Sequence, residues 1–351
     1  MAKVLSLFSG SLASRVATRV VEQHPDVDGV CLLHFRSPFS REFEDLRRLV
    51  KTEWPHAIFR TQSIKKEYRR LVQVTAAGEF SLEQSCYTCR SLLLSKAARY
   101  MERVDAEFIV SGELGEGSPL SRAQLKSIGE DLGIGGRILR PLCTHPSRRA
   151  RGLERWLLDG IAEGKPRSRA AMRKLANRLG LEPIDPMAAC QRCKLRTPGF
   201  GDRVASLLGE VGFTLNALRL LDFPVFYKVD PDVKIVLARD EWEKRELQNL
   251  FLPQDLRVYP ATPHGPMMLV RASWGNKART AQQGVVELAA RMAATFAEPG
   301  RTETIPIYYR LESEDETLLI NAIPFESVAE IDSMPNVEMI PLAEQDAVAM
   351  G

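Results

Sequence analysis

The chain has 351 residues, 44% of them hydrophobic and 26% charged, which is ordinary globular composition at a length that suits about two domains. A formal net charge of +3 excludes a bulk polycation, although a local basic patch remains open. No apolar run is long enough to span a membrane, and the N-terminal apolar stretch is cut by Ser and Gly and followed by Arg15 and Arg19, unlike a secretory signal, so a cytoplasmic location is expected.

In chain order, Val4 to Phe8 is a short apolar run that reads as a buried strand. Ser9 to Ser14 is a small-residue turn, and Leu12, Val16, Val20 and Val21 then fall at helical spacing. A strand, a tight loop and a helix make a cradle for an anion, because loop amides and the helix N-terminus present positive charge. Ser9, Ser11 and Ser14 add hydroxyl donors. Further strands are expected at Asp28–Phe35, His56–Arg60 and Ala106–Val110, with a short fifth at Ile138-Leu139. Helices are expected over Phe39–Trp54, Ile64–Val74 and the amphipathic run after Cys89. Alternation of this kind predicts an α/β fold, a mostly parallel sheet flanked by helices. Ligands then sit beyond the carboxyl ends of strands, so Ser9–Ser14, His34–Ser37 and Ser111–Ser118 are candidate walls of one site.

The six cysteines, in a reducing compartment, point to metal or redox roles rather than structural disulfides. Cys86 and Cys89 form a C-x-x-C at an expected helix start, an arrangement that lowers a thiolate pKa and fits a redox disulfide or half of a zinc or iron–sulfur site. Cys190 and Cys193 form a second pair, Cys143 follows Arg140-Pro141-Leu142, and Cys31 lies inside a strand as a small hydrophobe. From Arg148 to Arg178 the chain is basic, and Arg167, Arg169, Arg173 and Lys174 cluster on or beside an expected helix whose other face carries Ala171, Leu175 and Leu179. The basic face is either solvated or a patch that binds nucleic acid or a polyphosphate.

The Pro and two Gly of Thr197–Asp202 mark a break. Domains are therefore expected at 1–200 and 223–351, joined by a helical linker over 201–222 that belongs to a run Val204–Leu221. In the second half Val233–Ala238, Met267–Val270, Ile305–Leu311, Thr317–Ile320 and Glu338–Ile340 read as strands. Glu241–Leu250 and Thr280–Phe296 read as helices, giving a small α+β domain. Trp242, Trp274, Tyr308 and Tyr309 are candidates either for base stacking or for the core.

The order of these features resembles a family. A strand followed by Ser-Gly-x-x-x-Ser is similar to the PP-loop of ATP pyrophosphatases, whose usual form is SGGxDS. Cys86–Cys89 before a helix, Gly112-Glu113 through Ser121, Arg140-Pro141-Leu142, Gly164 to Arg169 and Pro186 to Cys190 resemble the thiouridine-synthase-like branch. The resemblance covers roughly Lys3 to Leu208, and the second half resembles the accessory RNA-binding domain of that branch. It implies an ATP-dependent, magnesium-dependent sulfurtransferase that adenylates and thiolates tRNA or a related RNA. Ser9, Gly10, Ser11, Ser14, His34 and Gly112 would bind ATP, and Cys86, Cys89 and Cys190 would hold a [4Fe–4S] cluster, with zinc as the alternative metal. A sulfur donor is implied as a partner, no membrane is, and a homodimer is left open. Two positions depart from the pattern: Ser11 replaces the second glycine, where a Cβ disfavours positive φ, and Ala13 replaces the usual Asp. The departures leave open a homologue that binds nucleotide or RNA but has lost adenylation. A zinc-stabilised structural protein is the third reading.

Overall fold

The structure is a computed structural model that describes residues 2–40, 46–114, 120–142, 169–181, 193–208, 213–229, 231–262 and 264–342. The chain forms two compact units, Met1–Arg196 and Thr197–Gly351. Among the described residues no helix is long and apolar enough to cross a membrane.

The first unit is built on β1 (Ala2–Leu7), β2 (Val27–Arg36), β3 (Ile58–Ser63), β4 (Phe108–Ser111) and β5 (Ile138–Leu139). All neighbours pair in parallel, in the order β3-β2-β1-β4-β5. Strand β1 is central and both its faces are covered, which is why Val4-Leu5 reads as a continuous apolar run rather than an alternation. Val4 and Leu32 face one core with Val16, Val21, Trp54 and Met172. Leu5, Cys31 and Leu33 face the other with Leu94, Met101, Leu125 and Ile138. The helices are α1 (Leu12–Glu22), α2 (Leu46–Glu53), the single turn α3 (Tyr68–Leu71), α4 (Leu82–Arg103), α5 (Arg122–Asp131) and α6 (Arg169–Arg178). Arg15 of α1 and Glu53 of α2 form a wholly buried ion pair, with Arg15 Nε 2.8 Å from Glu53 Oε2. Beside it the Arg19 guanidinium lies 4.8 Å over the Trp54 ring, and Trp54 Nε1 donates to Glu22.

The second unit is an antiparallel sheet in the order β11-β10-β8-β9-β7-β6-β12. Its strands are β6 (Val225–Val229), β7 (Val233–Ala238), β8 (Leu256–Pro260), β9 (Met267–Arg271), β10 (Ile305–Leu311), β11 (Leu318–Ala322) and β12 (Val337–Met339). Its helices are α7 (Phe200–Ala205), α8 (Leu215–Leu220), α9 (Glu241–Gln248), α10 (Arg279–Ala297) and α11 (Val328–Asp332). Helix α10 turns Ala289, Ala290, Ala293 and Ala294 onto one face of the sheet, and these small side chains let it lie close to the strands. The two units together make a two-domain α/β protein, a parallel sheet with flanking helices and an antiparallel sheet.

Arg203 of α7 is fully buried and donates to the carbonyls of Ile340 (2.7 Å), Leu221 (2.9 Å), Phe223 (2.5 Å) and Pro224 (2.8 Å). Burial lowers its pKa to about 10, still far above neutrality, so it stays charged. Arg203→Met leaves these buried acceptors unpaired, each at about 1–3 kcal/mol where no water reaches it. The expected net loss is about 3 kcal/mol in chemical denaturation followed by the tryptophans of this unit.

Several strand-and-helix expectations change. The expected helical run Val204–Leu221 holds two short helices, α7 and α8, because Thr214 is extended at φ −115° and ψ 170° where it caps α8. Ile64–Val74 holds one helical turn rather than a helix, because Val72 is extended and Val74 bridges to Phe80. Strands β6 and β8 have no counterpart in the sequence reading. Lys228 and Arg257 interrupt their apolar pattern and Pro224 and Pro260 bound them.

Candidate functional site

The strand order 3-2-1-4-5 reverses direction between β1 and β4, which opens a crevice at their carboxyl ends. Two of the sequence-predicted residue sets meet there. Gly10 takes the positive φ of the turn, 80°, and Ser11 is extended at φ −63° and ψ 155°. The Cβ of Ser11 is therefore unstrained, and the left-handed position falls on the glycine that is present. Ser11 caps α1, its hydroxyl accepting from the Ser14 amide at 3.3 Å. Ser14 Oγ donates to the Ser11 carbonyl at 2.9 Å, and Ser9 Oγ lies 3.0 Å from Ser11 Oγ and 3.2 Å from Ser14 Oγ. Beneath the loop Thr18 Oγ1 donates to the Ser14 carbonyl at 2.6 Å and lies 2.7 Å from Ser6 Oγ, a buried brace from helix to strand. The amides of Leu12 and Ala13 find no acceptor among the described residues. Two free amides, three hydroxyls and the helix N-terminus form a concave donor set suited to phosphate. Ala13 brings no carboxylate to it.

Gly112 ends β4 against this loop. A Cβ there would stand 2.7 Å from Ser14 Cα and N, so only glycine permits the approach. His34, on the other side of β1, donates from Nδ1 to the Phe8 carbonyl at 3.0 Å and fixes the start of the loop. Glu113 follows Gly112 and is almost fully buried between Arg90 of α4 (2.8 Å) and Arg140 (2.9 Å). The Gly-Glu and Arg-Pro-Leu motifs are thus tied by one ion pair, and Arg90 ties both to the cysteine helix. The sequence carried both motifs but gave no sign that they meet.

The cysteine pair lies inside α4 rather than before it. The helix begins at Leu82 under a Ser81 cap, which puts Cys86 in the second turn. Removed from the first turn, the thiols gain little from the helix dipole, and burial pushes both Cys86 and Cys89 up from the usual thiol pKa. Cys193 is pushed up to about 12, chiefly by burial, with Cys89 and Cys86 close enough to add to the shift. Its segment is pinned to the chain after β2: Ser40 bridges to Cys193, and the Lys194 amide donates to the Phe39 carbonyl at 2.6 Å. Cys86, Cys89 and Cys193 are free, partly buried thiols, while Cys31 is buried within β2. Cys190 and Cys143 lie outside the described residues. Among the described residues no three His, Cys, Asp or Glu side chains are arranged to hold a metal ion.

Of the basic cluster, Arg173 and Lys174 are exposed on α6, Arg169 begins that helix, and Arg167 lies outside the described residues. Met172, Leu175 and Ala176 hold α6 on the core shared with α1. Trp242 is 71% exposed, Trp274 donates to the Gln254 carbonyl, and Tyr309 packs on the core while Tyr308 faces solvent.

Residues 226–331 match the profile of the NFACT protein RNA binding domain. No curated protein matches the chain. Among solved structures, the chain is similar to a predicted subunit of tRNA methyltransferase from Methanocaldococcus jannaschii. That likeness has 13% identity and a TM-score of 0.30, over 52% of this chain and 90% of that one. It is also similar to the C-terminal part of the fibronectin/fibrinogen-binding protein from Streptococcus suis, at 11% identity and a TM-score of 0.27, over 72% of this chain and 96% of that one. Shared architecture does not follow at such scores.

Proposed function

We propose that the chain binds RNA through its second unit and an adenine nucleotide through its first, and that it is an ATP-dependent sulfurtransferase-like protein of PP-loop type acting on tRNA or a related RNA. The observation that carries this reading is the donor-lined loop Ser9–Ser14 at the carboxyl end of the central strand, closed by Gly112 and tied through Glu113 and Arg90 to a helix bearing two cysteines. The RNA part rests on the family match over residues 226–331. In this reading Ser9, Gly10, Ser11, Ser14 and the amides of Leu12 and Ala13 hold ATP phosphates, His34 positions the loop, and Arg167, Arg169, Arg173 and Lys174 meet the RNA backbone. Ala13 favours a second reading, a homologue that binds nucleotide and RNA but no longer adenylates.

Pyrophosphate release from ATP, magnesium and total tRNA separates the two. Release that depends on tRNA and is lost in Ser11→Pro supports the enzyme. Nucleotide binding without release supports the second reading, and absence of nucleotide binding removes both.

The soft-donor set fits an iron–sulfur cluster or zinc, with Cys86 and Cys89 as ligands and a third from Cys190 or Cys193. A cluster with one open iron would supply a carrier for sulfur beside the nucleotide. Cys190 is the third ligand of this reading, because Cys86, Cys89 and Cys193 are not arranged among the described residues to hold a metal ion. After anaerobic purification, Cys86→Ser is expected to lose bound metal and Cys193→Ser to keep it, measured by elemental analysis and visible absorption. Full metal retention in Cys193→Ser assigns the third ligand to Cys190.

A further inference from the structure

The antiparallel sheet is covered unequally on the face turned away from α10. Phe226, Val236, Ala238 and Leu269 point outward from β6, β7 and β9 and are buried. Arg203 of α7 lies 5.3 Å over the Phe226 ring, and α9 packs on β7. On β8, β10 and β11 the same face is open. There Tyr308 stands directly across from Tyr259 on one side and from Leu319 on the other. Tyr308 is 37% exposed and Leu319 56%, large side chains left at a solvent face on β10 and on the edge strand β11. The tyrosine rings are 5.7 Å apart and tilted by 45°. Neither hydroxyl has a partner among the described residues. Arg310, two residues along the same face, has no ion pair among them either, whereas its cross-strand neighbour Arg257 is neutralised by both oxygens of Glu312.

We propose that this half-sheet is a stacking platform for unpaired RNA. Two bases lie on Tyr308 and Tyr259, Leu319 packs against the first of them, and Arg310 takes the phosphate between. The inference rests on the RNA-binding reading and says where, and in which form, the RNA is held. Three features select RNA over a second protein chain. The three strands fall within the match to an RNA-binding domain, residues 226–331. The tyrosines present ring faces together with unsatisfied hydroxyls, which suit a wet contact with bases better than a dry protein interface. The unpaired guanidinium supplies the charge that a phosphate needs. Beyond Arg310 the turn carries Glu312, Glu314, Asp315 and Glu316, and these acids bound the site at that end.

The test uses the full chain with a fluorescein-labelled twelve-nucleotide oligouridylate and a duplex of the same length, read by anisotropy. Tyr259→Ala/Tyr308→Ala is expected to weaken single-strand binding about thirty-fold or more, since each lost base stack costs about a tenfold factor, and duplex binding less than about threefold. Tyr259→Phe/Tyr308→Phe keeps the rings and is expected to bind within about threefold of the parent. Ultraviolet cross-linking of the unaltered chain, mapped by mass spectrometry, is expected to mark Tyr308 or Tyr259, and it stands independent of whether the alanine pair folds. A folded alanine pair that binds the oligonucleotide as tightly as the parent, or cross-links only elsewhere, overturns the platform and leaves RNA binding intact. A parent chain that binds neither the oligonucleotide nor tRNA overturns the RNA-binding reading as well. A parent dimer that becomes a monomer in the alanine pair identifies the face as an interface between copies and overturns the platform.

Discussion

Alanine at position 112 is expected to abolish nucleotide binding and to destabilise the first unit by about 2–3 kcal/mol. The added Cβ would lie 2.7 Å from two backbone atoms of Ser14 and 2.9 Å from the Ala13 carbonyl carbon. Backbone cannot swing aside as the end of a long side chain does, so either β4 retreats or the loop deforms. Deformation moves the same amides of Leu12 and Ala13 that line the proposed phosphate site. Gly136→Ala is the control, since a Cβ there has nothing within 4 Å. Titration calorimetry with a non-hydrolysable ATP analogue, beside thermal melts of both variants, reads the effect. Tight nucleotide binding by a folded Gly112→Ala protein would move the nucleotide away from this loop.

Separating Arg15 from Glu53 is expected to cost about 3–5 kcal/mol, enough to leave much of the first unit unfolded at physiological temperature. The cost lies less in the lost attraction than in the charge left behind. Both side chains are essentially without solvent contact, so a lone guanidinium or carboxylate there has no water to hydrate it. Glu53→Gln and Arg15→Met should each show this loss in urea denaturation. Arg15→Met/Glu53→Met removes both charges and should recover most of it. Single variants as stable as the parent would show that water reaches the pair in solution.

The parallel sheet was legible because the middles of β1, β2 and β4 are buried: Val4–Phe8, Asp28–Phe35 and Ala106–Val110 are apolar runs that survive without knowledge of their neighbours. The loop at Ser9–Ser14 was legible for a similar local reason, a small-residue turn between a strand and a helix. Tertiary facts were not. Nothing near Glu113 in sequence announces Arg140, and the Arg15–Glu53 pair joins residues 38 apart on two helices. Arg203 reads as an ordinary surface arginine until four carbonyls close around it. Strand β8 was hidden because its outward positions, Arg257 and Tyr259, break the apolar pattern. Those same positions face the open half of the sheet, so the signal that obscured the strand is the one that marks its exposed side. Cys193 could be flagged as a thiol, but its nearness to Cys86 and Cys89 depends on a backbone pairing with Ser40 and Phe39 that no spacing rule contains.

The way the second unit is fastened sets the order in which it can be made. Gly199 sits at φ 82° with no room for a Cβ beside the Pro341 carbonyl, Arg203 grips the Ile340 carbonyl, and β12 completes the sheet by pairing with β6. The earliest residues of this unit are therefore buttoned to its latest. A nascent chain emerging from the ribosome can complete the five-stranded sheet while the rest is still being translated. It cannot close the antiparallel sheet until residue 341 has cleared the exit tunnel. Until then Arg203 has no Ile340 carbonyl to hold and the edge of β6 is unpaired, a window in which chaperones, or premature stop codons before residue 337, act on this unit and spare the other.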